Sequence, residues 1–151
     1  MSVTIRPARP DDLEFLRSLA AQFSEEVGLN YSWDSSSALI RDLMASDQAT
    51  VLVAALANDY EPLVGAIAGI LTSAPLLGHS VAQEMFWYSD RSASRSAGVR
   101  LLAAFEQWAL DHDCHSVVMA TLPGTPDGVA EYLGRRGYAV LETQYIRELK
   151  Q

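Results

Sequence analysis

The chain has 151 residues, 49% of them hydrophobic and 20% charged, a balance that fits one folded domain over 1–151 with a real core and excludes a disordered chain. No apolar run reaches the length of a bilayer span and MSVTIRPARP has no signal core, so the expectation is a cytoplasmic protein with no membrane partner. A formal charge of −8 argues against general nucleic-acid binding, and a single Cys114 excludes an internal disulfide and a thiolate metal cluster.

Val3 to Arg6 alternates apolar and polar residues and reads as a first strand, punctuated by Pro7 and Pro10. Asp11 and Asp12 put negative charge on the first turn of a helix whose positions Leu13, Leu16, Ala20, Phe23 and Val27 recur at helical spacing, closed by Gly28. A loop leads from there to a second helix, capped by Asp34 or one of Ser35 to Ser37, with Leu39, Leu43 and Met44 as its apolar positions. Residues 49–57 and 62–72 are nearly unbroken apolar runs. By pattern alone the first is a buried strand or a short buried helix; Thr50, Val51, Val53 and the turn residues Asn58 and Asp59 favour strand, and the two runs make an antiparallel hairpin. Gly65 and Gly69 read either as marks of a bulge or close approach, or as glycines tolerated among alanines.

The next stretch, QEMFWYSDRSASRSAGVRLLAAFEQWAL, organises the rest. Strand alternation sets Glu84, Phe86 and Tyr88 on one face and Met85, Trp87 and Ser89 on the other. From Asp90 to Ser96 every residue but Ala93 is polar or charged, so the strand ends near Ser89. A helix follows from about Ser94 to Ser96, burying Val99, Leu101, Leu102, Phe105, Trp108 and Ala109. Its start brings unpaired N–H groups and the positive end of the helix dipole beside Arg91, Arg95 and Arg100, with Gly98 leaving room for a ligand. Those are the makings of a pyrophosphate site.

Residues 116–122 read as a strand parallel to 84–89, because a helix joins them. A short helix over 128–136 and a final hairpin, with strands at 138–141 and 145–149, complete the order β-α-α-β-β-β-α-β-α-β-β. His79, His112 and His115 lack ligand spacing, and no metal is expected.

The run Arg95, Ser96, Ala97, Gly98, Val99, Arg100, Leu101, Leu102 resembles the acyl-CoA loop of the GNAT (N-acetyltransferase) superfamily, Arg/Gln-x-x-Gly-x-Gly/Ala between the fourth strand and third helix. Arg100 stands where that family usually has Gly or Ala. The Gly-x-Arg-Leu-Leu ending resembles bacteriophage-encoded members, as does the tail YLGRRGYAVLETQYIREL. The resemblance covers essentially the whole chain. It implies an α/β (α+β) GNAT fold with a mixed, largely antiparallel twisted sheet of about seven strands and about four helices, strands 4 and 5 being parallel and splayed around the cofactor arm. Acetyl-CoA is the implied cofactor, with Phe86, Trp87, Tyr88, Arg91, Arg95, Ser96, Ala97, Gly98, Val99 and Arg100 around it. Tyr31, Trp33 and Asp34 are the exposed candidates of the region that covers the acceptor in such proteins.

Acyl transfer to an amine needs the amine neutral, hence a base or water chain; the leaving thiolate benefits from a proton donor and the oxyanion from an N–H. Glu84 lies about 17 Å from the strand's end, a distance comparable with an extended pantetheine arm, and is the candidate base. It also matches the strand-four glutamate of some GNAT lysine acetyltransferases. The family's fourth-helix tyrosine falls at Leu133 here, with Tyr132 one position off, so Tyr132 is the candidate acid. An N–H within residues 86–88 is the implied oxyanion donor. The expected activity is acetyl transfer from acetyl-CoA to an amine acceptor, small molecule or protein, by a chain that could form a homodimer. The alternative of another class is a GNAT-fold regulatory module without turnover, acting on a host protein.

Overall fold

The computed structural model describes residues 2–150. They form two compact units that divide between Ala120 and Thr121.

The first unit is a sheet with helices on both faces. Its strands are β1 (Val3–Pro7), β2 (Ala49–Leu56), β3 (Leu63–Ala74), β4 (His79–Ser89) and β5 (Ser116–Val118), lying in the order β1-β2-β3-β4-β5. All neighbours are antiparallel except β4 and β5, which are parallel. Helices α1 (Leu13–Val27) and α2 (Trp33–Ala45) contribute Leu16, Leu19 and Ile40 to a core with Val53, Ala55 and Ala66 of the sheet. Helix α3 (Ala97–Asp111) covers the opposite face with Leu101, Leu102, Phe105 and Ala109, all essentially without solvent exposure. These four lie on the stripe that the sequence spacing predicts; Val99, expected on it, is exposed and Trp108 is only partly buried. Gly28 closes α1 with φ +71°, the left-handed conformation in which glycine escapes the Cβ penalty.

Asp12 stands at the start of α1 as expected, and it also serves an ion pair. It is buried, its carboxylate accepting both Arg6 guanidinium nitrogens at 2.7 and 3.0 Å and the Arg9 N–H at 2.7 Å. Burial pushes its pKa up, the bonds from Arg6 and the Arg9 N–H outweigh this, and the net shift is downward. The pair therefore stabilises the fold at neutral pH and loses that contribution as pH falls through the lowered pKa.

Two features of β3 resolve the question of its glycines. Its register shifts at both places, between Ala54 and Ala55 of β2 near Gly65 and between Ala68 and Gly69. Each glycine also lets α3 approach: a Cβ on Gly65 would lie 2.9 Å from Leu101 Cδ1, and one on Gly69 2.3 Å from Phe105 Cζ. They mark bulges and a close approach together.

The second unit holds α4 (Asp127–Arg135) and, beyond it, no further strand among the described residues. The expected sheet of about seven strands is thus one of five, and β5 ends at Val118 rather than Leu122. The physical reason is a missing partner. A two-stranded hairpin is marginal in water unless a face packs, and Val140, Tyr145, Ile146 and Leu149 are more than four-fifths exposed. No helix among the described residues is long and apolar enough to cross a membrane.

Candidate active site

The site forms where β4 outruns β5. Pairing between them covers Val81↔Ser116, Ala82↔Val117 and Gln83↔Val118, then stops one residue before Glu84. Beyond it β4 is paired on the β3 side only. The Asp90 N–H bonds the Val64 carbonyl at 2.8 Å. Counting back along this ladder by twos, Tyr88 and Phe86 exchange bonds with β3, while Ser89 and Trp87 turn their N–H and C=O groups to the side β5 has left.

Met85 is an extra residue. Phe86 pairs with Ala68 and Glu84 with the adjacent Gly69, so β4 bulges at Met85, which is half exposed. A bulge changes the strand's parity. Phe86 and Tyr88 pack against the α1 and α2 core, whereas Glu84 is in register with Gly69, whose missing Cβ points at Phe105 of α3. The expectation that Glu84 shares a face with Phe86 and Tyr88 is therefore corrected: by register it lies on the α3 face.

Glu84 is 9% exposed. Burial pushes its pKa up to about 7, moderated by a hydrogen bond that its carboxylate accepts from the Ala120 N–H just past β5. A carboxyl poised there exchanges protons readily near neutral pH. Ala120 was not foreseeable, since a backbone N–H has no sequence signature.

At the other end of this stretch of β4 lies the start of α3. Ser96 is at the N-cap position with no side-chain cap bond, and the first backbone bond there is Arg100 N–H to the Ser96 carbonyl. Among the described residues the N–H groups of Ala97, Gly98 and Val99 have no acceptor, which leaves the positive end of the helix free for an anion. Arg91, Arg95 and Ser96 are exposed around it, Val99 is also exposed, and Ala97 is fully buried.

Arg100 goes elsewhere. Its guanidinium donates to the Val3 carbonyl of β1, so it ties the helix to the sheet edge and its side chain is not part of the anion cradle. Trp87 likewise has a structural bond, its indole N–H donating to the Gly98 carbonyl at 3.0 Å and pinning the first turn of α3 to β4. Tyr88 donates to Gln22 Oε1 at 3.3 Å and packs on Phe23, with ring centroids 5.6 Å apart. Phe86, Trp87 and Tyr88 are thus divided between the two faces and do not line one pocket together.

Gly98 faces this seam and not open space. A Cβ there would meet Ser89 Oγ at 2.8 Å, with the next atoms at 3.6 and 3.8 Å. A hydroxyl can rotate away, so Gly98→Ala is expected to change stability by under about 1 kcal/mol, aided by alanine's better helix propensity. Gly98→Glu would force a carboxylate between α3 and Trp87 and lower the melting temperature clearly. Thermal unfolding of both checks this; equal damage from both would mean that Ser89 has no room to move.

The acceptor-side candidates separate too. Tyr31 is exposed in the loop between α1 and α2, and Asp34 is exposed in the first turn of α2, its carbonyl accepting the Ser37 hydroxyl at 3.1 Å. Trp33, expected to be exposed, is partly buried against the core. Tyr132 belongs to the second unit, in α4, where its hydroxyl accepts from Arg136 at 3.2 Å; Leu133 beside it is buried.

No protein-family model matches the sequence, and no curated protein matches it. Solved structures do. A GNAT family acetyltransferase from Staphylococcus aureus superposes with a TM-score of 0.69 at 15% identity, covering 99% of this chain and 100% of that one. The ribosomal-protein-alanine N-acetyltransferase of Brucella melitensis biovar Abortus 2308 gives 0.74 at 17%, covering 99% and 100%. The chain has the GNAT fold. AAC(6')-Iy, solved with the bisubstrate analog CoA-S-monomethyl-acetylneamine, gives 0.74 at 15% with both chains fully covered. The open edge, Glu84 and the free helix start of this chain all lie on β4, β5 and α3.

Proposed function

We propose that this chain is an acyl-CoA-dependent N-acyltransferase that moves an acetyl group from acetyl-CoA to an amine. The single observation that carries this reading is the end of β4–β5 pairing beside a buried Glu84 with a pKa of about 7, on the same strand that leads into the uncapped start of α3. The GNAT fold, and a structural neighbour solved with a CoA-based bisubstrate analog, support it.

The residues present fit the cofactor. The unbonded N–H groups of Ala97, Gly98 and Val99, with Arg91, Arg95 and Ser96 around them, suit a pyrophosphate. The outward N–H and C=O groups of Trp87 and Ser89 suit the amides of a pantetheine arm. Bound acetyl-CoA supplies an activated thioester, so no nucleophilic side chain or metal is required of the protein. Glu84 takes the proton of the incoming amine, directly or through a water, and an outward N–H of β4 stabilises negative charge on the acyl oxygen. Tyr132 is assigned the proton returned to the thiolate. Tyr31 and Asp34 contact the acceptor, and the chain's negative charge favours a cationic one.

A thermal-unfolding scan with acetyl-CoA, CoA and ATP tests the reading. Ligand at about a hundred times its Kd adds about 2.7 kcal/mol, a rise of roughly 5 to 10 °C for a domain of this size. Acetyl-CoA and CoA are expected to give it and ATP is not. No shift with either thioester or thiol would reject the site.

A further inference from the structure

We propose that Trp87 and Arg100 are positioning residues for the cofactor, holding the first turn of α3 as a ready-made cradle for a pyrophosphate. The proposal rests on the acyl-CoA reading and adds what keeps the cradle in shape before the ligand arrives.

A helix start that must bind an anion faces a conflict. Its first turn frays unless something holds it, and the usual holder, a side-chain cap, occupies the same N–H groups that the anion needs. In this chain that cap is missing: Ser96 makes no side-chain bond to the turn, and among the described residues Ala97, Gly98 and Val99 keep their N–H groups free. What holds the turn comes from the sheet and leaves those N–H groups alone. The Trp87 indole of β4 donates to the Gly98 carbonyl at 3.0 Å. The Arg100 guanidinium, one residue past the free N–H groups, donates to the Val3 carbonyl of β1. β2 and β3 lie between β1 and β4 in the sheet, so the turn is fastened at two separate points.

Trp87 suits this task because an indole N–H is a neutral donor with no acceptor to offer, so it takes the carbonyl and leaves the N–H groups of the turn unengaged. It also joins the two parts of the site. Its main-chain N–H and C=O face the side that β5 has left, where the pantetheine arm would run, while its ring holds the cradle. A turn ordered in advance spares the ligand the entropic cost of ordering it, so the two fastenings should act on affinity for the pyrophosphate end of the cofactor and not on the arm.

The experiment compares wild type, Trp87→Phe and Arg100→Met, substitutions that keep an apolar body and remove the donor. CoA affinity is measured by titration calorimetry, pantetheine affinity by NMR titration, and amide exchange on the ligand-free protein. Each variant is expected to bind CoA about five- to tenfold more weakly, roughly the worth of one hydrogen bond, and to bind pantetheine, which has no pyrophosphate, as wild type does. The amides of residues 100–102 should exchange faster in both ligand-free variants and return to the wild-type rate with saturating CoA. Loss of charge at Arg100 alone would not move exchange in the absence of ligand. A wild type that does not bind CoA rejects the acyl-transfer reading and this proposal with it. A wild type that binds, with variants that bind CoA equally well, lose CoA and pantetheine alike, or exchange these amides at the wild-type rate, rejects the positioning role alone. If Trp87→Phe does not fold, the same outcomes for Arg100→Met decide.

Discussion

Replacing Glu84 by Gln is expected to lower turnover by about 10²- to 10⁴-fold at pH 7 while making the protein more stable. Both effects come from one cause. The carboxyl is buried, which raises its pKa from 4.5 to about 7. Between those values the folded state holds a proton that the unfolded chain has released, so stability falls as pH rises through this window and the whole loss is present above pH 7. The shift corresponds to roughly 3 kcal/mol at pH 8. Glutamine is neutral, fills the same space and still offers an oxygen to the Ala120 N–H, so it escapes the loss. The melting temperatures of variant and wild type should lie close at pH 4 to 5 and diverge by roughly 6 to 12 °C at pH 8, the variant higher. In the wild type, kcat/KM should rise through about pH 7 as the base deprotonates. The variant's deficit should shrink at high pH, where more of the amine is already neutral. Equal melting temperatures at pH 8 with unchanged turnover would reject Glu84 as a buried titrating base.

Gly69→Ala is expected to be among the most damaging single methyl additions in the chain. The new carbon would lie 2.3 and 2.4 Å from Phe105 ring atoms and 2.8 Å from the Gln83 carbonyl oxygen. Unlike the Ser89 hydroxyl, the Phe105 ring has nowhere to turn, being fully buried and stacked on Trp108 at 5.7 Å. Overpacking of this kind costs about 3 kcal/mol, a fall of roughly 6 to 12 °C. Because Gly69 is the register partner of Glu84, turnover should fall with stability. Phe105→Leu, which vacates ring volume, should relieve part of the cost, and a double-mutant cycle should give a favourable coupling of about 1 kcal/mol or more. Strict additivity of the two substitutions would mean that Gly69 and Phe105 do not share this space.

Much of the fold was legible because it rests on local patterns. The apolar runs that became β2 and β3, and the spacing of Leu101, Leu102, Phe105 and Ala109 in α3, encode burial directly. The position of Glu84 along β4 and the open helix start were legible for the same reason. The face Glu84 occupies was not. Alternation through Glu84, Phe86 and Tyr88 is unbroken in the sequence, and only the ladder with β3 reveals that Met85 has no partner. Arg100 shows a second limit: a long cationic side chain beside an anion site is equally able to reach the Val3 carbonyl, and tertiary geometry decides between them. The tail shows a third. Strand propensity in Tyr138 to Leu141 is necessary for a strand, but pairing needs an edge, and an edge is not a property of the segment.

The bulge at Met85 has a consequence for how this site is written into the chain. Glu84 already faces Gly69 and Phe86 already faces the adjacent Ala68, so excising Met85 would join two stretches of ladder that are in step. Every other side chain would keep its face and its opposite number. Met85 interrupts the ladder without changing which residues face each other: its own side chain is half in water, and a bulge of this kind favours a local bend and twist, here where β5 departs. Shape and chemistry are spelled by different letters here, and a one-residue deletion could erase the first while leaving the second in place.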